Sequence, residues 1–281
     1  GVVADAAGNV YATGWVTKAD DTKDLCTVKY AGADGAVLAP WPLCYDNPVT
    51  HGDDVGVGVA VDPIDGDVVV AGTTTVGTGN RDFILLRYAP DGTLRTGWPK
   101  LLDRPTDDEL VALAVDAQGY INVTGKSLQG GNWDVVTARY RWDGEFVRAT
   151  EYDSGGDDVS VALAVNRHGE AFAAGSKANT GARTDHDYLV VATPGETLAV
   201  PSPLVATPYY NDVVLTWSNN SLAQDGVTLQ RKLGTCAGNG TWETLKTFTA
   251  GEVTYPDSAL SIGQTYCYQA RAYKGTDTTR W

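Results

Sequence analysis

Methionine is absent from these 281 residues, and histidine occurs only three times. Without a methionine the chain does not open at an initiator. Gly1-Val2-Val3-Ala4-Asp5 already stands inside a repeat unit, so a processed or partial product of a longer chain is expected. No apolar run approaches the ~20 residues that span a bilayer, so no membrane-spanning helix is expected. No signal peptide is recognisable. The four cysteines form neither C-x-x-C nor C-x-x-C-H, which leaves zinc ribbons and c-type haem attachment unsupported. Positive charge is in short supply, with 21 Lys+Arg against 35 Asp+Glu. Residues 201–281 are neutral, so residues 1–200 carry the whole net charge of −14. Such a surface repels a phosphate backbone, and nucleic-acid binding is disfavoured.

What is abundant is Val, Thr, Tyr, Gly and Asp, the composition of strands and tight turns. It is arranged as a repeat. Val-Val-Ala-Asp5-Ala-Ala-Gly8 returns as Val-Ala-Val-Asp62-Pro-Ile-Asp-Gly66, Leu-Ala-Val-Asp116-Ala-Gln-Gly119 and Leu-Ala-Val-Asn166-Arg-His-Gly169. Each copy closes on a further glycine, Gly14, Gly72, Gly125 or Gly175. A second element then opens on Asp24, Asp82, Asp134 or Asp187, and in three copies ends in Tyr30, Tyr88 or Tyr140. Three copies are preceded by Asp53-Asp54, Asp107-Asp108 and Asp157-Asp158. Asp-x-x-Gly supplies a turn, because Asp bonds its own backbone and Gly accepts positive φ. Asp34-Gly35, Asp91-Gly92 and Asp143-Gly144 mark a second turn. A fourth strand is expected to carry Trp41, Trp98 or Tyr152. Four strands in roughly 50 residues is the period of a propeller blade.

At these residues the chain resembles the bacterial SBBP β-propeller repeat family, over about residues 1–195. The resemblance implies a secreted or surface protein and brings no shared catalytic residues. Four units are few for a ring, so an incomplete ring or an open, assembly-completed array is expected. From Pro201 the character changes. Asp212–Trp217, Val227–Lys232 and Tyr266-Cys-Tyr268-Gln-Ala-Arg-Ala-Tyr273 resemble the fibronectin type III pattern, which implies that Trp217 is the core Trp and Leu260 precedes strand F. The usual last strand is expected to be missing. The fold class is therefore all-β, with propeller repeats over residues 1–200 and a fibronectin-III-like sandwich over 201–281. One cysteine pair in each half predicts disulfides Cys26–Cys44 and Cys236–Cys267, and hence an oxidising compartment. Four buried free thiols are the alternative.

Candidate chemistry is thin. His51, His168 and His186 fall in predicted turns without a G-x-S-x-G elbow. Gly77-Thr-Gly79-Asn opens no helix and reads as a loop. The Asp pairs invite calcium, but no D-x-D-x-D-G run exists; they are read as turn and blade-linking hydrogen bonders, and no cofactor is expected. Asn122, Asn219 and Asn239 begin sequons that read as incidental. Trp133 and Trp142, near turns, are candidate glycan-stacking aromatics. The leading expectation is a non-enzymatic extracellular module, structural or adhesive, acting through protein contacts or self-assembly in a bacterial surface or filament assembly. The alternatives are a carbohydrate-binding accessory region of a secreted enzyme and a propeller-scaffold polysaccharide-degrading enzyme. The last requires paired carboxylates in a cleft.

Overall fold

The computed structural model describes residues 1–166, 168–179, 185–195, 198–221, 224–275 and 277–281. They form strands and turns, with no helix among the described residues. The chain divides into two compact units, residues 1–195 and 196–281.

The first unit is a series of small antiparallel sheets, each a meander in chain order. The first holds β1 (Val2–Ala4), β2 (Val10–Thr17), β3 (Lys23–Tyr30) and β4 (Leu43–Tyr45). The second holds β5 (Asp54–Val61), β6 (Val68–Gly77), β7 (Asn80–Tyr88) and β8 (Lys100–Leu102). The third holds β9 (Asp108–Val115), β10 (Ile121–Gln129), β11 (Asn132–Tyr140) and β12 (Phe146–Tyr152). The fourth holds β13 (Asp158–Val165), β14 (Ala171–Ala178) and β15 (His186–Thr193).

The repeated turn is built as its residues dictate. Asp5 Oδ1 accepts from the N–H groups of Ala7 and Asn9, both at 2.9 Å, and Asp116 does the same for Gln118 and Tyr120. Asn166 keeps an acceptor oxygen there, taking His168 N–H at 2.9 Å and Glu170 N–H at 3.1 Å. Gly8 and Gly119 close the turn at φ +83°, a region open mainly to glycine.

Near-continuous apolar runs in β6, β7, β10 and β11 give the second and third sheets two apolar faces, and the cores lie between sheets. Tyr11, Leu25 and Trp41 of the first pack on Val68, Val70, Ile84 and Leu86 of the second. Phe83, Leu85 and Trp98 of the second pack on Ile121, Val123 and Val136 of the third. Trp41 and Trp98 do this from the loops that precede β4 and β8, not from a fourth strand as expected, whereas Tyr152 does end β12. Bulky rings sit better in the loop, where Trp41 reaches edge-on to both Tyr11 (5.5 Å) and Tyr88 (5.6 Å).

Buried cations pin the sheets together. Arg139, 1% exposed, donates to Asp116 at 2.7 Å, to Asn122 at 2.8 Å and to the Gly169 carbonyl of the fourth sheet at 2.8 Å. Arg87 binds Asp62, Asp65 and Asp67 and reaches the Trp142 carbonyl beyond β11 at 2.9 Å. Fixing a planar five-donor group among carboxylates compensates its desolvation.

The second unit has a sheet of β16 (Leu204–Tyr209), β17 (Asp212–Trp217) and β20 (Thr254–Asp257). The other has β19 (Glu243–Thr249), β18 (Gly226–Leu233), β21 (Tyr266–Lys274) and β22 (Asp277–Thr278), in that order. Leu215 and Trp217 of the first meet Val227, Leu229, Phe248 and Ala270 of the second in one core. A two-residue strand that the sequence did not lead us to expect, β22, pairs with β21 through Tyr273 and Lys274. Both disulfides form as expected: Cys26–Cys44 across β3 and β4, and Cys236–Cys267 from the segment after β18 to β21.

Candidate functional site

Besides the aspartates of the Asp-x-x-Gly turns, a second set of acidic residues collects at the opposite ends of the sheets. The first Asp of each pair is a clasp between sheets. Asp53 accepts from Lys23 N–H at 3.1 Å, Asp107 from Arg81 N–H at 3.1 Å and Asp157 from Trp133 N–H at 3.0 Å. Each donor sits just before the repeated Asp of the preceding sheet. The carbonyls of the same three residues accept from Thr75, Leu128 and Ala178 of their own sheets.

The second Asp of each pair points inward. Asp54, Asp108 and Asp158 are all 0% exposed. Cross-strand register places Asp54, Thr74 and Asp82 on one rung of the second sheet, and Asp108, Ser127 and Asp134 on one rung of the third. Between sheets, Asp54 feels Asp46 and Asp24; Asp82 feels Asp103 and Asp108; Asp134 feels Asp153 and Asp158. An aspartate triad thus recurs at three successive junctions. Asp46, Asp103 and Asp153 were not singled out by sequence reasoning. Each follows the fourth strand directly, but they lie seven, four and four residues before the Asp pairs, and the uneven spacing hides them.

The three triads are balanced differently. At the first, Lys18 Nζ lies 2.9 Å from Asp46 and 3.4 Å from Asp24, and its hydrogen bond holds Asp46 below the usual carboxylate range. At the second, Arg104 donates its backbone N–H to Asp82 at 3.3 Å, and its Nε lies 3.8 Å from Asp108. At the third, among the described residues, Asn132 donates to Asp134 at 2.8 Å and Ser154 to Asp158 at 2.6 and 2.8 Å. There, one oxygen from each of Asp134, Asp153 and Asp158 lies within 4.8 Å of the others, a spacing that can share a cation. Three ligands are about half of what calcium takes.

Burial is the dominant influence on four of these carboxyls. Asp54, Asp82, Asp108 and Asp134 are each pushed up to about 6, chiefly because the charged form loses its water. Asp82 Oδ2 and both oxygens of Asp108 accept no hydrogen bond of good geometry. The hydroxyl of Ser127 beside Asp108 still acts to lower it.

Next to the second triad lies a groove of about 480 Å³, with Tyr45, Asn47, Thr50, Asn80, Asp82 and Asp103 in its wall. The volume is within the range of small-ligand sites. Asp103 is exposed and Asp82 is fully buried beside it, so the wall presents two unlike carboxyl groups.

The other candidates scatter. His51 precedes β5 and lies 3.1 Å from Asp46, His168 is in the turn between β13 and β14, and His186 opens β15. Gly77-Thr-Gly79-Asn is the β6–β7 hairpin, and Asn122 is 0% exposed. Trp133 is the second residue of β11 and Trp142 lies past the other end of that strand, so they do not form one platform. Trp133 is half-buried under Lys126, whose Nζ is 4.3 Å from the ring centroid; Trp142 is half-buried against Tyr120 at 5.5 Å.

No family model matches the chain, and no curated protein matches it, so the two family resemblances rest on the residues quoted above. Among solved structures, it is similar to an endo-arabinase from Bacteroides thetaiotaomicron VPI-5482, at 15% identity and a TM-score of 0.39, over 69% of this chain and 72% of that one. It is also similar to a structure described as a glycoside hydrolase, at 9% identity and a TM-score of 0.25, over 98% and 94% of the two chains. The expectation of a non-enzymatic chain is corrected here. Both structures carry enzyme names. The structure adds that Asp82 and Asp103, far apart in the repeat pattern, line one groove.

Proposed function

We propose that this chain is a carbohydrate-active part of a secreted protein, with a saccharide held in the groove beside the second aspartate triad. The observation that carries the reading is Asp82: a fully buried carboxyl, held near 6, in the wall of a groove that also bears the exposed Asp103. Glycoside hydrolysis takes one protonated and one ionised carboxyl. Below about pH 6 Asp82 is the proton donor, and Asp103 is the carboxylate that activates water or attacks the sugar. Tyr45 offers a ring for stacking and Asn80 an amide for a hydroxyl, while the donors of Asn47 and Thr50 are spent on Thr74 and Thr75.

In this reading the sheets of the first unit are propeller blades, supported by their meander order, face-to-face cores and period near 50 residues. The second unit is a fibronectin-III-like spacer, supported by its strand order and by Trp217 in the shared core. The two disulfides support an extracellular setting.

The test is release of reducing ends from a panel of plant and bacterial polysaccharides, paired with a binding assay on the same panel. Asp103→Asn should lower cleavage by about 10²–10⁴-fold while binding persists, and Tyr45→Ala should weaken binding. A panel that is neither bound nor cleaved sinks the reading. So does cleavage indifferent to both substitutions.

A further inference from the structure

The repeat sheets meet one another in a single way. Leu25 of the first and Phe83 of the second, at 0% and 1% exposure, each project onto a glycine of the following sheet. A Cβ on Gly72 would lie 2.8 Å from Leu25 Cδ1, and one on Gly125 would lie 2.5 Å from Phe83 Cζ. Val135 holds the same place in the third sheet and packs on Ala173, Leu189 and Val191 of the fourth. In every case the projecting residue follows the repeated Asp of the third strand.

In the fourth sheet that residue is Tyr188, and it is 99% exposed. Val190, next along the same face, is 65% exposed, although its counterparts Thr27, Leu85 and Thr137 are at most 1% exposed. Val161 adds to the face at 68%, and a groove of about 450 Å³ runs beside Tyr188 along Val161, Ser176 and His186. At the other end of the stack the receiving feature stands open. Gly14 occupies in β2 the place that Gly72 and Gly125 occupy in β6 and β10, and nothing lies within 4 Å of a Cβ built on it. Val16, on the same face of β2, is 54% exposed.

We propose that the fourth sheet of one copy docks on the first sheet of a second copy of this chain, with Tyr188 seated over Gly14, so that copies associate head to tail. The occupant follows from continuity with the interfaces inside the unit. Three sheet-on-sheet contacts use this residue position, and the chain carries both halves of a fourth. Tyrosine is a favoured interface anchor, and a large exposed apolar patch on a folded unit marks a contact surface. Because the two faces differ, the contact is heterologous and propagates into a closed ring or an open filament according to its rotation.

Sedimentation velocity over rising protein concentration tests this with the wild type, Tyr188→Asp and Gly14→Trp. The wild type should associate and each variant alone should remain monomeric. An equimolar mixture of the two variants should stop at a one-to-one dimer, because each retains one working face. A wild type that is monomeric up to its solubility limit overturns the proposal, as does association indifferent to both substitutions or a mixture that stays monomeric. Far-UV circular dichroism checks folding, and Val190→Asp with Val16→Asp addresses the same two faces should either first variant fail to fold.

Discussion

At the residue scale the aspartates divide by what meets their oxygens. Those of the Asp-x-x-Gly turns spend their oxygens on backbone N–H groups or on Arg87 and Arg139. Those at the sheet junctions are buried with less compensation, and four of them bind a proton near 6. A carboxyl raised in the folded state binds its proton more tightly than in the unfolded chain. Its stabilising contribution is full below about pH 4 and is lost as pH rises through about 6. Asp46, Asp67 and Glu109 are held low and act in the opposite sense, losing their contribution as pH falls below about 4. Thermal unfolding should therefore show a higher midpoint at pH 5 than at pH 8. Asp82→Asn should remove part of that fall, on the order of 1–1.5 kcal/mol between pH 5 and pH 8. A midpoint that rises steadily from pH 5 to pH 8 would contradict this assignment.

At the element scale the repeated glycine, expected to end the second strand, lies in its middle, and in β6 and β10 it is a socket for Leu25 and Phe83. The register shifts beside it, between Gly56 and Gly58 in β5 and between Thr124 and Gly125 in β10, because the neighbouring backbone comes too close for a side chain. A Cβ on Gly125 would meet the Glu109 carbonyl at 2.1 Å as well as the Phe83 ring. Gly125→Val should cost ~2–3 kcal/mol, whereas Gly14→Val, in open space, should change stability by less than about 0.5 kcal/mol. Urea unfolding of the two variants checks the contrast, and equal losses would refute the socket. This much was legible in the sequence, because Asp, Gly and alternating apolar residues act through local backbone geometry. The turns at Gly8 and Gly119, the third strands opening near Asp24, Asp82 and Asp134, and both disulfides follow from such rules. What stayed hidden depends on three-dimensional neighbours. Asp103 acquires meaning only beside Asp82, and Tyr188 only against the buried Leu25 and Phe83. The short β22 escaped because two residues carry no periodicity.

At the scale of the whole chain, one construction serves two ends. Stacking sheets through Leu25, Phe83 and Val135 brings the third-strand Asp of one sheet against the paired Asp of the next. The same stacking that makes the core also gathers carboxyls at each junction and raises their proton affinity. A groove opens beside the second sheet, between residues 45–50 and the wall that carries Asp82 and Asp103. The concentration of negative charge in residues 1–200 is thus partly turn chemistry and partly the construction of these junctions. In the proposed function Asp82 is a working carboxyl of a saccharide groove. Its most direct test is polysaccharide cleavage by the wild type and by Asp82→Asn, followed from pH 4.5 to pH 8. Wild-type cleavage should fall with an apparent pKa near 6 and be lost in the variant. Wild-type cleavage that is flat across this range, or a variant with the wild-type profile, would contradict it.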